Sequence, residues 1–177
     1  MEKAEVKTNG TTHTISLLVE NKPGVLLRIS GLFSRRGYNI ASLTVGPTEN
    51  TEYSRMTIVV RLTSKPVEQV VRQVQKLIPV VEVRELRPED LLERELMLVK
   101  IKTPEKNHAE LKALAETYEA SIVDVSPDAL VVEASGPAGK LDALEERLGH
   151  FGIQEVCRSG RIALERGFKT LAPPNLK

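Results

Sequence analysis

Apolar residues recur along this chain with two periods, close to 2 and close to 3.6, and the order in which the periods alternate predicts the fold. Ile15, Leu17 and Val19 share one face of a strand over roughly 14–20. Val25, Leu26, Ile29, Leu32 and Phe33 then follow helical spacing, and Gly37 closes that helix because glycine accepts positive φ. Ala41, Leu43 and Val45 alternate along a second strand, residues 46–54 read as a hairpin loop, and Met56, Ile58, Val60 and Leu62 alternate along a third. Val67, Val70, Val71, Val74 and Leu77 form a second helical stripe, with Ser64 as N-cap and Pro66 in its first turn. Val81 and Val83 place a fourth strand over roughly 80–86. The order is β-α-β-β-α-β, and right-handed crossovers close it as a ferredoxin-like sheet with both helices on one face.

The same order is then written again. Residues 95–102 read as a strand, and Leu111, Leu114, Ala115 and Tyr118 line a helix opened by Asn107 with Glu110 as a capping-box pair. Residues 121–125 and 129–134 form a hairpin around Pro127-Asp128. Leu141, Leu144 and Leu148 line a fourth helix, and 153–164 hold a last strand with a bulge or turn at Ser159-Gly160. The fold class expected is therefore α+β, two ferredoxin-like βαββαβ domains in tandem. The boundaries expected are a flexible tail over 1–13, a first domain over 14–87, a charged proline-containing linker over 88–94, a second domain over 95–168 and a frayed tail over 169–177. Leu18 and Val59 add apolar residues on the face of the first sheet that its helices leave open. Something must cover that face or the sheet edge, and pairing of sheet edges in a two-fold dimer is the simplest solution.

Composition narrows the function classes. There are 25 basic and 24 acidic residues, so no strong field draws the chain to nucleic acid or an acidic membrane surface. Aromatic residues are 3% and tryptophan is absent, which argues against a sheet that stacks RNA bases. No apolar run approaches the ~20 residues of a membrane span, and the polar start of the chain lacks a signal-peptide core. The lone Cys157 rules out an intrachain disulfide framework, fits a reducing cytoplasm, and reads as a small buried apolar residue.

Two turns hold the candidate chemistry. In Glu20-Asn21-Lys22-Pro23-Gly24-Val25-Leu26 a polar turn leaves a strand and opens a helix, where unpaired N–H groups and a partial positive charge attract a carboxylate. Gly24 lets backbone approach a ligand, and the Asn21 amide offers both a donor and an acceptor, although on local sequence alone Asn21 reads more simply as a plain N-cap. Asn39 starts the second strand, where it serves either as a turn residue or as a ligand contact across a subunit boundary. His13, His108, His150 and Cys157 match no compact metal motif, and paired carboxylates such as Glu145-Glu146 sit among basic neighbours. No P-loop, dinucleotide fingerprint or nucleophile elbow is present. With no catalytic residues and no metal ligands expected, the reading is a sensor of a small metabolite.

The runs Leu17-Leu18-Val19-Glu20-Asn21-Lys22-Pro23-Gly24-Val25-Leu26, Gly31-Leu32-Phe33-Ser34-Arg35-Arg36-Gly37-Tyr38-Asn39-Ile40 and Ser54-Arg55-Met56-Thr57-Ile58 resemble the ACT domain, a small-molecule sensing module. More closely, together with Glu93-Arg94-Glu95-Leu96-Met97-Leu98-Val99-Lys100, Gly139-Lys140-Leu141-Asp142 and Arg158-Ser159-Gly160, they are similar to the small regulatory subunits of acetolactate (acetohydroxyacid) synthase. The resemblance covers nearly the whole chain.

It implies a non-catalytic subunit that activates a separate catalytic large subunit and confers feedback inhibition by branched-chain amino acids. Valine is the expected effector, with leucine and isoleucine beside it. The cofactors it implies, thiamine diphosphate, magnesium and FAD, belong to the catalytic partner, and none is expected on this chain. It implies a homodimer through the ACT domains, with the effector between Asn21, Gly24, Val25 and Leu26 of one subunit and Asn39 and Ile40 of the other. Leu27, where many relatives carry a small hydroxyl residue, and Gly46, where alanine is common, depart from the family pattern. A free-standing amino-acid sensor acting on another protein is the alternative. An acyl phosphate hydrolase on the same scaffold would need an arginine in the anion-binding loop, where this chain has only Lys22.

Overall fold

The alternating segments become strands and the 3.6-residue stripes become helices in a computed structural model that describes residues 10–63, 66–104 and 107–173. The first pattern gives β1 (Thr11–Glu20), α1 (Val25–Arg36), β2 (Asn39–Pro47), β3 (Tyr53–Leu62), α2 (Val67–Val74) and β4 (Val80–Leu86). Its repeat gives β5 (Leu91–Lys102), α3 (His108–Thr117), β6 (Ser121–Ser126), β7 (Ala129–Gly136), α4 (Ala138–Leu148), β8 (Ile153–Arg158) and β9 (Ile162–Glu165). The sheets run β2-β3-β1-β4 and β6-β7-β5-β8, with β9 on β5 off that path. Each is the order of a ferredoxin-like βαββαβ unit, so the α+β tandem repeat is the fold the chain adopts. No described helix is long and apolar enough to cross a membrane.

The register explains the first core. Ile15 lies opposite Ile58, and Leu17 opposite Met56. All four side chains point at the stripe formed by Val25, Ile29, Leu32 and Phe33 on α1 and by Val67, Val70 and Val74 on α2. Gly37 ends α1 at φ 67°; its N–H bonds to Ser34 O and the N–H of Tyr38 to Phe33 O, the two bonds of a Schellman stop. Tyr38 then turns back into the core edge-on to Phe33, ring centroids 5.9 Å apart. In the second unit Met97, Val99 and Ile101 play the part of Ile15 and Leu17, under Leu111 of α3 and Leu141, Leu144 and Leu148 of α4.

Several boundaries differ from those expected. β1 begins at Thr11, inside the expected tail, because Thr11, Thr12 and His13 pair with Leu62, Arg61 and Val60. Most of the expected linker is ordered: after a short turn in which Asp90 N–H bonds to Arg87 O, Leu91–Arg94 already belong to β5. The described residues up to Leu92 and those from Ala163 onward form one compact unit, and Glu93–Ile162 the other. Residues 163–168, expected in the second domain, therefore belong to the first unit, and the expected frayed tail is packed onto it as far as Leu171. Glu165 bonds to Arg84, Leu171 O accepts from Arg55, and the Leu171 side chain is buried.

The expectation of an uncovered apolar face is corrected as well, since Leu18 and Val59 are both buried within the single chain. Asn107 caps α3 without the side-chain bond of a capping box, and α2 is entered through an extended Pro66. Ser64, the expected cap there, lies outside the described residues, as do residues 1–9 and Pro174. Cys157 is exposed, not buried, because it sits opposite Leu98 on the face of the second sheet away from the helices. As a test of the core assignment, Ile29→Ala and Leu141→Ala each remove a fully buried side chain. Each should lower unfolding stability by about 2–5 kcal/mol in urea denaturation.

Candidate functional site

The β1–α1 turn is held from below by the β2–β3 hairpin. The N–H of Asn21 donates to Glu52 O at 2.7 Å, and the Asn21 side-chain amide donates to Thr51 O at 2.9 Å. Asn21 is thus not the N-cap of α1; its amide nitrogen braces the turn, and its oxygen accepts no hydrogen bond among the described residues. The N-cap is Gly24, at φ 82° and ψ −5°, with no side-chain cap. No acidic residue lies in the first turn of α1, and no acceptor among the described residues takes the N–H of Leu26 or Leu27. The helix therefore presents bare donors and the positive end of its dipole, the usual requirements of a carboxylate site.

Gly24 is needed for its backbone conformation. A Cβ built there meets nothing within 4 Å, so the space in front of the turn is open. The open space is also where a ligand carboxylate would meet the helix. Val25 is buried beneath the turn, whereas Leu26 is half-exposed and Leu27 is 75% exposed, giving an apolar rim beside the donors. Gly46 likewise has open space around its missing Cβ, so nothing described within the chain excludes a larger residue there.

Asn39 and Ile40 lie elsewhere. β1 and β2 flank β3 and both run antiparallel to it. Glu20 is opposite Tyr53, while Asn39 is opposite Arg61, eight residues further along β3. At ~3.3 Å per residue the two turns stand roughly 25 Å apart at opposite ends of the sheet. Within one chain the candidate residues therefore form two separate halves: Asn21, Gly24, Val25 and Leu26 at one end, Asn39 and Ile40 at the other.

β2 is an edge strand, and it carries a feature that alternation alone did not reveal. Its register shifts between Ile40 and Ser42, which bulges Ala41 outward. Ile40, Leu43 and Val45 consequently fall on the core side, opposite Val60, Ile58 and Met56, and Ala41, expected inward, is exposed. Ile40 and Leu43 pack on the core, while Val45 remains 44% exposed at the edge.

The second unit repeats the scaffold with different chemistry. Thr103 follows β5 as Asn21 follows β1, and its N–H donates to Asp128 O of the β6–β7 hairpin, as that of Asn21 does to Glu52 O. The Thr103 hydroxyl is buried with no partner among the described residues, as is Nε2 of His108 at the start of α3. His13, on β1, bonds to Glu85 at 2.8 Å. No group of metal-ligating side chains is found among the described residues.

Comparison with known proteins agrees with this architecture. The family model for an AHAS small subunit-like ACT domain matches residues 15–82, and that for the small subunit of acetolactate synthase matches residues 94–167. The chain is 47% identical over 161 residues to a probable acetolactate synthase small subunit of Methanothermobacter thermautotrophicus, spanning 90% of this chain and 96% of that one. It is 47% identical over 156 residues to the acetolactate synthase small subunit of Mycobacterium bovis, spanning 88% and 93%. The crystal structure of the acetolactate synthase small subunit from Thermotoga maritima superposes with a TM-score of 0.82 at 36% identity, covering 89% of this chain and 98% of that one.

Two substitutions separate bracing from conformation in the turn. Asn21→Ala removes the bond to Thr51 O and should cost about 0.5–1.5 kcal/mol in urea unfolding. Gly24→Ala forces a side chain into the left-handed region and should cost about 1–2 kcal/mol, although the added methyl touches nothing.

Proposed function

The chain belongs to the acetolactate synthase small-subunit family, and from that premise we propose that it activates the catalytic large subunit and relays feedback inhibition by a branched-chain amino acid, valine foremost. Its place in the enzyme is that of a non-catalytic, regulatory partner. The chemistry, with thiamine diphosphate, magnesium and FAD, belongs to the large subunit.

One observation supports this reading above the others: the two halves of the candidate site lie at opposite ends of one edge-exposed sheet. Pairing of β2 with the β2 of a second copy about a two-fold axis reverses the strand direction. It carries Asn39 and Ile40 of the second copy to the Pro47 end, where Asn21 and Gly24 lie. Two copies then form two complete sites, each with helix donors for the carboxylate and amide oxygens for the ammonium. Ile40 and the rim at Leu26 would meet the aliphatic side chain. An effector held between two copies has different affinities for different arrangements of the pair, which is the requirement for it to shift one arrangement over another.

The first test is calorimetric titration of the full chain with valine, leucine and isoleucine. Saturable binding in the micromolar to millimolar range, about −8 to −4 kcal/mol, is expected for valine. Gly24→Asp places bulk and negative charge where the carboxylate would sit. It should abolish valine inhibition of the reconstituted enzyme while leaving activation intact. Full valine inhibition of that variant would overturn the site, and a large subunit indifferent to the chain would leave the free-standing sensor as the better reading.

A further inference from the structure

The face of the first sheet away from its helices is unusual for a sheet interior in what it buries. Register places two adjacent rows across that face, Arg55 of β3, Leu18 of β1 and Glu82 of β4 in one, and Thr57, Ser16 and Arg84 in the next. Residues Leu164–Leu171 run over it and leave a cavity of about 140 Å³, lined by Arg55, Arg84, Glu165, Lys169 and Thr170 among others.

The charges around this cavity are unevenly matched. Arg84 is fully engaged, at 2.7 Å from Glu82 and 2.6 Å from Glu165. Lys169 also bonds to Glu165, at 3.0 Å, and Glu82 further accepts the N–H of Ala172. Arg55 has no such partner among the described residues. Its guanidinium reaches two neutral acceptors, Ser16 Oγ and Leu171 O, each at 3.4 Å, the weak end of the hydrogen-bond range. Glu49 and Glu82 attract it electrostatically without forming an ion pair with it among the described residues. Burial holds the Arg55 guanidinium below its ordinary pKa, and the like charge of Arg84 adds to this against the opposing pull of Glu49 and Glu82. A half-buried, permanently charged fork of donors with no direct ion pair is costly, and arginine is the side chain best shaped to take a carboxylate or phosphate on two bonds.

We propose that this cavity is a binding site for a small oxyanion, with Arg55 as its main ligand and Lys169 and Thr170 at its rim. The volume is several times the ~30 Å³ of a water molecule, enough for inorganic phosphate or a short carboxylic acid. An anion there would bond to Arg55, ease its repulsion with Arg84, and clamp the segment Leu164–Leu171 to the sheet. The site lies on the face of the sheet opposite the helices, apart from the β1–α1 turn.

The test is thermal unfolding of the full chain titrated separately with inorganic phosphate and with acetate, each against chloride at matched ionic strength. A saturable rise in Tm with a midpoint on the order of millimolar is expected for at least one. Which anion acts distinguishes a phosphate source from a carboxylate one. Arg55→Met should weaken the response about tenfold or more. Lys169→Met, at an exposed side chain that leaves the core untouched, should weaken it about threefold and serves if the first variant does not fold. Gly24→Asp should leave it unchanged, so this site and the effector site fail independently. An absent or non-saturable response, or one equally strong in both cavity variants, overturns the proposal.

Discussion

β3 is hydrogen-bonded on both sides, to β1 along its whole length and to β2 along nearly all of it, and this double pairing governs the rest of the first unit. Because a right-handed crossover through α1 returns the chain parallel to β1, the only strand that can fill the gap between β1 and β2 is antiparallel to both. The β1–α1 turn and the start of β2 are then driven to opposite ends of the sheet. Nothing in loop sequence or side-chain choice can bring them together within one chain. Function is constrained accordingly: any ligand that uses both turns must use two copies. In the proposed pairing, the β2 edge with its half-exposed Val45 is the surface through which two copies would supply them.

The two units show how one scaffold can be kept while its chemistry changes. In both, the first residue after the opening strand bonds through its N–H to the neighbouring hairpin, which fixes the height of the following helix. In the first unit that residue is Asn21, whose side chain is satisfied by Thr51 O, and the helix is entered through an uncapped left-handed glycine. In the second it is Thr103, whose hydroxyl is sealed in with no partner among the described residues, and the helix is entered through Asn107 in a right-handed conformation.

Much of this was legible from periodicity. The strands at Ile15, Met56, Met97 and Ala129, the glycine stop at Gly37 and the hairpin at Pro127-Asp128 each carry a local signal strong enough to stand alone. The misses share a cause: in each, a distant partner decides. The bulge at Ala41 comes from the pairing of β2 with β3, and a one-residue phase shift is invisible in a pattern read one strand at a time. Leu91–Arg94 look like a charged linker because charge is tolerated on an exposed ladder, and only the pairing partner shows that they form a strand. Asn21 is readable as a cap until Thr51 is found beneath it. Residues 163–168 read as the end of the second domain and 169–171 as frayed because their partners, Arg55 and Arg84, lie roughly eighty or more residues earlier in the chain.

Arg55 belongs to that last group and shows what such distant pairing can conceal. In the sequence it is one basic residue in a strand of apolar alternation, where a solvent-facing position is the natural reading. The register instead sets it opposite Leu18 and Gly46 on a face that the chain closes over. A positive charge placed there needs either a carboxylate, as Arg84 has twice, or a ligand. Among the described residues Glu165 and Glu82 pair directly with Arg84, whereas Arg55 bonds only to uncharged oxygens and feels Glu49 and Glu82 at longer range. Replacing Arg55 with an apolar residue of similar length would remove the need for any partner and pack the face more simply. We read a cation with no ion-pair partner among the described residues, beneath a segment that leaves room for an anion, as suited to binding one.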